Sequence, residues 1–324
     1  MSDAFLVVAL LAGATVRGAV PLVLASLGGL FSERAGVVDI GLEGKMLASA
    51  FGAAAVAAVT GSAWIGLGAG IAASLLVSIV HGVACVTYHG NQVVSGMALN
   101  ITLSGLTAVL GNAWFHEGGQ TPLLKPGARF APIELPGAIA LERLPIVGTI
   151  YGEVVSGHNV LVYVAAVALP LAAWLVSRTR FGLRLRAVGE SPDAVETSGV
   201  SVSATRYRAV LMSGLLCGLS GAYLSIAHHA SFVRDMSAGK GYLALAALIF
   251  GQWRPGPAVG ACLLFALADA VQVRLQGTPL PVVGVVPVQL IQAIPYVLTV
   301  ALLAGFVGRA VAPRAIGLPY VKDR

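Results

Sequence analysis

Apolar residues in this chain come in long unbroken runs, not in the short alternations of half-buried strands or the stripes of soluble amphipathic helices. Between Lys45 and Glu117 lie 71 consecutive residues without Asp, Glu, Lys or Arg, and further charge-free runs cover Val154–Ser177, Ala209–Val233 and Leu275–Gly308. About 20 apolar residues cross a hydrocarbon core as a helix, so the first run alone predicts three crossings. These are helical lengths, unlike the ten-residue alternating segments of an outer-membrane barrel. The pattern predicts an all-α polytopic transmembrane helix bundle of about eight to ten spans. They fall near residues 4–30, 46–59, 64–87, 93–114, 158–176, 209–229, 241–252, 257–275 and 285–307. Met1–Ala12 lacks the basic start of a cleavable signal and reads as the beginning of the first span.

The polar breaks between runs set the orientation, because cytoplasmic loops are enriched in Lys and Arg. The largest break, residues 177–208, holds six arginines and three acids and is placed in the cytoplasm. Counting outward puts the segment 115–157 outside and the tail 308–324 inside, with 13 Lys/Arg in inner loops against five in outer ones. Composition agrees: 57% hydrophobic residues, 10% charged residues and a mean hydropathy of +0.87 exclude a water-soluble globule. The net charge of +6 sits in loops beside spans, where orientation and lipid headgroups account for it, so no nucleic-acid partner is expected. Forty glycines suit close helix packing in lipid, notably Gly66–Gly70 and Gly214–Gly221. Cys85, Cys217 and Cys262 have no metal or redox spacing and read as buried thiols. His81, His89, His228 and His229 likewise show no metal-ligand spacing, and no metal site is expected.

Two spans are short. The stretches 46–59 and 241–252 offer about 14 and 12 apolar residues, each after a Gly-rich polar lead-in, Gly41–Lys45 and Ala238–Gly241. Such segments predict broken or half-membrane helices held within protein. Entering from opposite faces, they have the form of an inverted repeat with a binding site near the midplane. A second local signal lies in the cytoplasmic break: Ser191-Pro192-Asp193 reads as a helix start and Gly199 as its end. A capped helix containing Glu196 is therefore displayed between two arginine-bearing arms.

The stretch Arg186–Val200 resembles the coupling loop of membrane subunits of bacterial ABC importers in the branched-chain amino acid, ribose and nucleoside permease group. Glu33–Gly44, Asn91–Gly96 and Gly239–Gly251 extend the likeness over nearly the whole chain, which is most similar to nucleoside or simple-sugar permeases. The resemblance implies one transmembrane permease domain over residues 1–324 of the bacterial inner membrane. It also implies a cytoplasmic ABC ATPase, a second permease chain and an external substrate-binding protein. Having no G-x-x-x-x-G-K-[ST] loop, the chain is expected to be a transport subunit rather than an enzyme, binding no cofactor itself. ATP and Mg would then be held by the partner ATPase. Arg184, Arg186, Glu190, Ser191, Asp193, Glu196 and Gly199 are the coupling candidates.

Pathway candidates are polar residues that a lipid-facing helix avoids: Asn91, Gln92, Asn100, Asn112, Asp269, Gln272, Gln289 and Gln292. Gln92 and Asn100 are in phase on one helix face, and Asn91 is not. Uncharged amides suit a neutral, hydroxyl-rich or heteroaromatic ligand, and they equally serve as interhelical hydrogen bonds. Glu43 and Asp39 are expected to pair with Lys45 or Arg34. A self-sufficient ion-coupled secondary transporter, with Asp269 as the coupling acid, is the alternative class.

Overall fold

A helix of 32 residues, α1 (Asp3–Arg34), runs the full depth of the bundle and organises it. The computed structural model describes residues 3–136, 147–276, 288–293, 297, 300–301 and 311–322. After α1 come α2 (Leu42–Thr60), α3 (Ala63–Gly82) and α4 (Gln92–Phe115). The second half contains the short α5 (Val147–Ile150), then α6 (Val160–Arg178), α7 (Arg180–Glu190), α8 (Pro192–Thr197) and α9 (Val202–Tyr223). It closes with α10 (Lys240–Phe250), α11 (Pro255–Leu275) and the short α12 (Val288–Gln292). Seven helices are long and apolar enough to cross a membrane among the described residues, and α10 is a shorter apolar helix. The same residues contain no strand, only an isolated antiparallel bridge between Ile133 and His158. Most of the span expected at 285–307 lies outside the described residues.

The helices pack through small residues, because lipid supplies no hydrophobic force between them and contact must come from close approach. α1 packs on α6, α9, α10 and α11, while α2 packs on α3, α4 and α9. A Cβ on Gly70 would lie 2.9 Å from the Ser49 carbonyl oxygen of α2, and one on Gly221 would lie 2.0 Å from that of Met46. Serine hydroxyls bond across these contacts: Ser49 donates to the Gly218 carbonyl (2.5 Å), Ser74 to that of Gly214 (2.7 Å) and Ser220 to that of Pro21 (2.8 Å). Each such bond contributes roughly 0.6 kcal/mol in a membrane bundle.

α2 starts deep in the bundle, not at a surface. Lys45 at its start lies beside Ser213, the twelfth residue of α9, so about 16 Å of helix separates that level from the start of α9. The stretch expected to begin at residue 46 thus starts at Leu42, because its polar lead-in is held inside protein. The segment after α4 runs back over the bundle, with the N–H groups of Leu124 and Phe130 donating to the carbonyls of Ala230 and Ile226 (2.7 and 2.9 Å).

Candidate functional site

Glu43 joins the two polar lead-ins. Its carboxylate accepts the backbone N–H groups of Gly239 (2.8 Å) and Gly241 (2.6 Å), the first turn of α10. The free N–H groups of that turn carry partial positive charge, so a carboxylate is the matching cap. The contact needs glycine: a Cβ on Gly241 would lie 2.6 Å from the Glu43 N and Cα. This corrects the expectation that Glu43 pairs with Lys45 or Arg34. From Glu43, α2 leads one way to Gly61. α10 leads the other way to the end of α1, where the Trp253 indole donates to Glu33 (2.5 Å) and Arg34 donates to the Trp253 carbonyl (2.8 Å). The two helices therefore start at one level and run apart.

At that level lies a cavity of about 320 Å³, lined by Glu43, Leu47, Asn100, Ile101, Ser104, Asp235, Tyr242 and the turn Ser237–Gly239. Asn100 reaches it from α4 and holds three elements together. Its side-chain oxygen accepts from Gly44 N–H (2.8 Å), and its NH₂ donates to the Ile40 carbonyl and to the Tyr242 hydroxyl oxygen (both 2.9 Å). The Tyr242 proton is left free to donate. Ser104, one turn further along α4, donates to the Asp235 carboxylate (2.6 Å). Asp235, Ala238 and Gly239 all have positive φ (53°, 47° and 79°), the tight backbone that brings this turn against α4.

Beneath the cavity the α1–α2 turn is pinned by a buried ion pair. Lys45 and Asp39 are 2.5 Å apart with both side chains fully buried, and Ser213 of α9 donates to the same Asp39 oxygen (2.6 Å). Burial disfavours the Asp39 carboxylate, and the Lys45 charge and the Ser213 donor offset that cost. Gln92 accepts from Val38 N–H (2.6 Å), and His81 bonds the Val38 carbonyl (3.1 Å) and the Ser95 hydroxyl (3.0 Å).

Of the pathway candidates, Asn100 lines the cavity, and Gln92 lies two turns away on the turn-holding contact. Asn91 is exposed and caps α4 by accepting from the N–H groups of Val93 and Val94. Asn112 is exposed near the far end of α4. Asp269 and Gln272 are half-buried on α11, which packs on α1 away from α2 and α4, and Gln289 is exposed on α12, which also carries Gln292. Ser104, Asp235 and Tyr242 were not among the candidates. Nothing in their local spacing marks them, because the cavity forms from three segments far apart in the chain.

The short helix expected from Ser191 is α8, ended by Gly199 with φ 83°. Ser191 stands at its start but its side chain makes no cap bond, which corrects that expectation. The preceding arm is itself a helix, α7, capped by Thr179, whose hydroxyl oxygen accepts from Gly182 N–H (3.1 Å). Leu185 and Val188 of α7 are buried, Arg184 and Glu190 are exposed, and Arg186 bonds the Gly182 carbonyl (3.4 Å). Asp193 lies in the first turn of α8. Glu196 accepts from Lys322 of the tail (2.9 Å) and from Val202 N–H (3.1 Å), and these bonds, Lys322 first, hold its pKa below the ordinary carboxyl value. The tail also donates from Ala315 N–H to Gly189 and from Gly317 N–H to Gly36 (2.8 and 3.1 Å), and Arg206 donates to Leu318 (3.0 Å).

Residues 11–303 match the family described as branched-chain amino acid transport system / permease component. The chain is 36% identical to the guanosine ABC transporter permease of Bacillus subtilis, over 99% of both chains. It is 37% identical to a putative glucose ABC transporter permease of Haloferax volcanii, over 91% of this chain and 90% of that one. With the nucleoside ABC transporter permease of Lactococcus lactis it shares 36% identity over 94% of each chain. These matches over nearly the whole length show that the chain belongs to that permease family, as a multi-pass plasma-membrane subunit of the ABC importer class.

Proposed function

We propose that the chain forms one half of a nucleoside pathway and that the cavity at the α2–α10 junction is its midplane station. The observation that carries this is the convergence of two helix starts on a cavity whose lining mixes acceptors, Glu43 and Asp235, with a free hydroxyl donor on Tyr242. Acceptor carboxylates match the hydroxyls of a ribose, while Leu47 and Ile101 offer apolar surface to a base. The guanosine and nucleoside relatives support this cargo. The glucose relative supports a simple sugar as the second reading, since the same acceptors suit any polyol.

Energy comes from a cytoplasmic ATPase that holds ATP and Mg. The helix α8 is its seat, with Arg184, Arg186, Glu190, Ser191, Asp193 and Glu196 as contacts or supports and Gly199 as the hinge into α9. A second permease chain completes the pathway, and an external binding protein delivers cargo to the segment 115–157. The test is uptake of labelled guanosine and glucose into vesicles holding this chain with its ATPase, second permease and binding protein. Guanosine uptake that requires ATP, falls on Ser104→Ala and is lost on Glu196→Lys supports the reading. Glucose uptake without guanosine uptake moves the cargo to sugars, and ion-driven uptake by the chain alone overturns the importer assignment.

A further inference from the structure

Outside the pathway, an apolar groove of about 480 Å³ opens between α3, α6, α7 and α9, lined by Leu75, Leu175, Phe181, Met212 and Leu215 among others. Its one charged lining residue is Arg208, which is exposed and has no ion-pair partner among the described residues. Arg208 lies near the cytoplasmic start of α9, and Leu215 is seven residues, about 10 Å, deeper. With α8 at the cytoplasmic face, as proposed above, the groove has a cationic mouth at headgroup level and an apolar floor that reaches toward the midplane. Arg178, Arg180 and Arg184, all exposed, stand on the α6–α7 junction that supplies Leu175 and Phe181, so the mouth lies in a field of one sign.

We propose that this groove holds one anionic phospholipid of the cytoplasmic leaflet, with its phosphodiester on Arg208 and an acyl chain along Met212 and Leu215. The chemistry recognised is a phosphate oxyanion, and the apolar floor requires that it carry a chain. A guanidinium is suited to phosphate because its planar donors face two oxygens at once, and a basic residue near the membrane surface favours anionic headgroups. The walls belong to α7 and α9, the two arms that flank α8, so the lipid would stand as a wedge between them. The inference rests on the orientation of the chain and is independent of the cargo.

The test uses the assembled importer in lipid discs containing equal amounts of phosphatidylglycerol and phosphatidylcholine, each in turn carrying a photoreactive acyl chain. Labelled peptides are then mapped. Phosphatidylglycerol is expected to label the segments around Leu75 and Met212 about fivefold more than phosphatidylcholine, with Arg208→Gln abolishing the preference and Arg208→Lys keeping it. Millimolar inorganic phosphate should leave the labelling unchanged; competition by phosphate would assign the site to the free ion and overturn the lipid. Equal labelling by the two lipids overturns the proposal. So does labelling seen with this chain alone but absent from the assembled importer, which would mean that a protein partner covers the groove.

Discussion

Substituting Lys45 by Met keeps the length of an apolar stem and removes a charge from the centre of the bundle. In the native chain the Asp39 carboxylate receives Lys45 and the Ser213 hydroxyl on one oxygen, while its other oxygen has no partner among the described residues. Lys45→Met leaves that carboxylate, which has no exposed surface, with one neutral donor. Removing one partner of a buried pair costs about 3–5 kcal/mol, so the variant should lose that much in reversible unfolding titrations of the purified chain in mixed micelles. Adding Asp39→Asn removes the stranded charge and keeps an acceptor for Ser213. The double variant should therefore return to within about 2 kcal/mol of the native chain, giving a large favourable coupling in the cycle. A pH signature separates this from lost packing. The stranded Asp39 takes up a proton in the folded state and not in the unfolded one, so the Lys45→Met deficit should shrink as pH falls. A deficit below about 1 kcal/mol, or a double variant as unstable as the two singles summed, would refute the reasoning.

Gly241→Ala forces a Cβ to 2.6 Å from Glu43 backbone atoms, which have no rotamer to yield, so a loss of about 1–3 kcal/mol is expected in the same titration. Gly68→Ala, with nothing within 4 Å of the added Cβ, is the matched control and should stabilise by about 0.5–1 kcal/mol. The Lys322–Glu196 contact should show two pH limits, read as proteolytic protection of the tail. The Glu196 pKa is lowered, so its contribution is present above the ordinary carboxyl pKa and lost as pH falls through the lowered value. The Lys322 pKa is raised by Glu196, so its contribution is lost as pH rises through the raised value. A flat profile identical to that of Glu196→Gln would show that the pair does not hold the tail. Gly199→Ala puts a side chain at φ 83° and should cost about 1–2 kcal/mol locally, seen as faster amide exchange at the end of α8.

What the sequence made legible was governed by local chemistry. Charge-free length identifies spans because an unsatisfied backbone group in lipid is costly whatever surrounds the helix. The short α10 was readable for the same reason, and Gly199 because few other residues accept left-handed backbone at a helix end. The α7 helix was hidden because its Thr179 cap and its buried Leu185 and Val188 have meaning only once the bundle is present to cover them. The cavity was less readable still. Periodicity put Gln92 and Asn100 on one face of α4, but what that face meets is decided elsewhere in the chain. Asn100 meets Gly44, Ile40 and Tyr242, while Glu43 meets Gly239 and Gly241, contacts that span 56 to 198 residues of sequence.

Further contacts connect α8 to the cavity. Glu196 of α8 holds the first N–H of α9, and the tail ties Gly189 of α7 to Gly36 of the α1–α2 turn. Twelve residues into α9, Ser213 bonds Asp39 of that same turn, and Asp39 bonds Lys45, two residues from Glu43 at the cavity. A rigid displacement of α8 therefore reaches the cavity by two independent connections, one through the body of α9 and one through the tail and Gly36. Adjacency alone does not establish coupling, because energy is transmitted only where an element has two arrangements that both ends bias. The α1–α2 turn fits that requirement. It is short and is held by side chains from α3, α4 and α9 together. It also ends in the helix start that shapes the cavity, so a shift of α9 relative to α4 cannot leave Asp39–Ser213 and Val38–Gln92 both intact. Loss of one of these two contacts with retention of the other would give the turn the two arrangements that coupling requires. On the proposed function, control of cargo movement would then rest in a buried turn that lines neither the cavity nor α8.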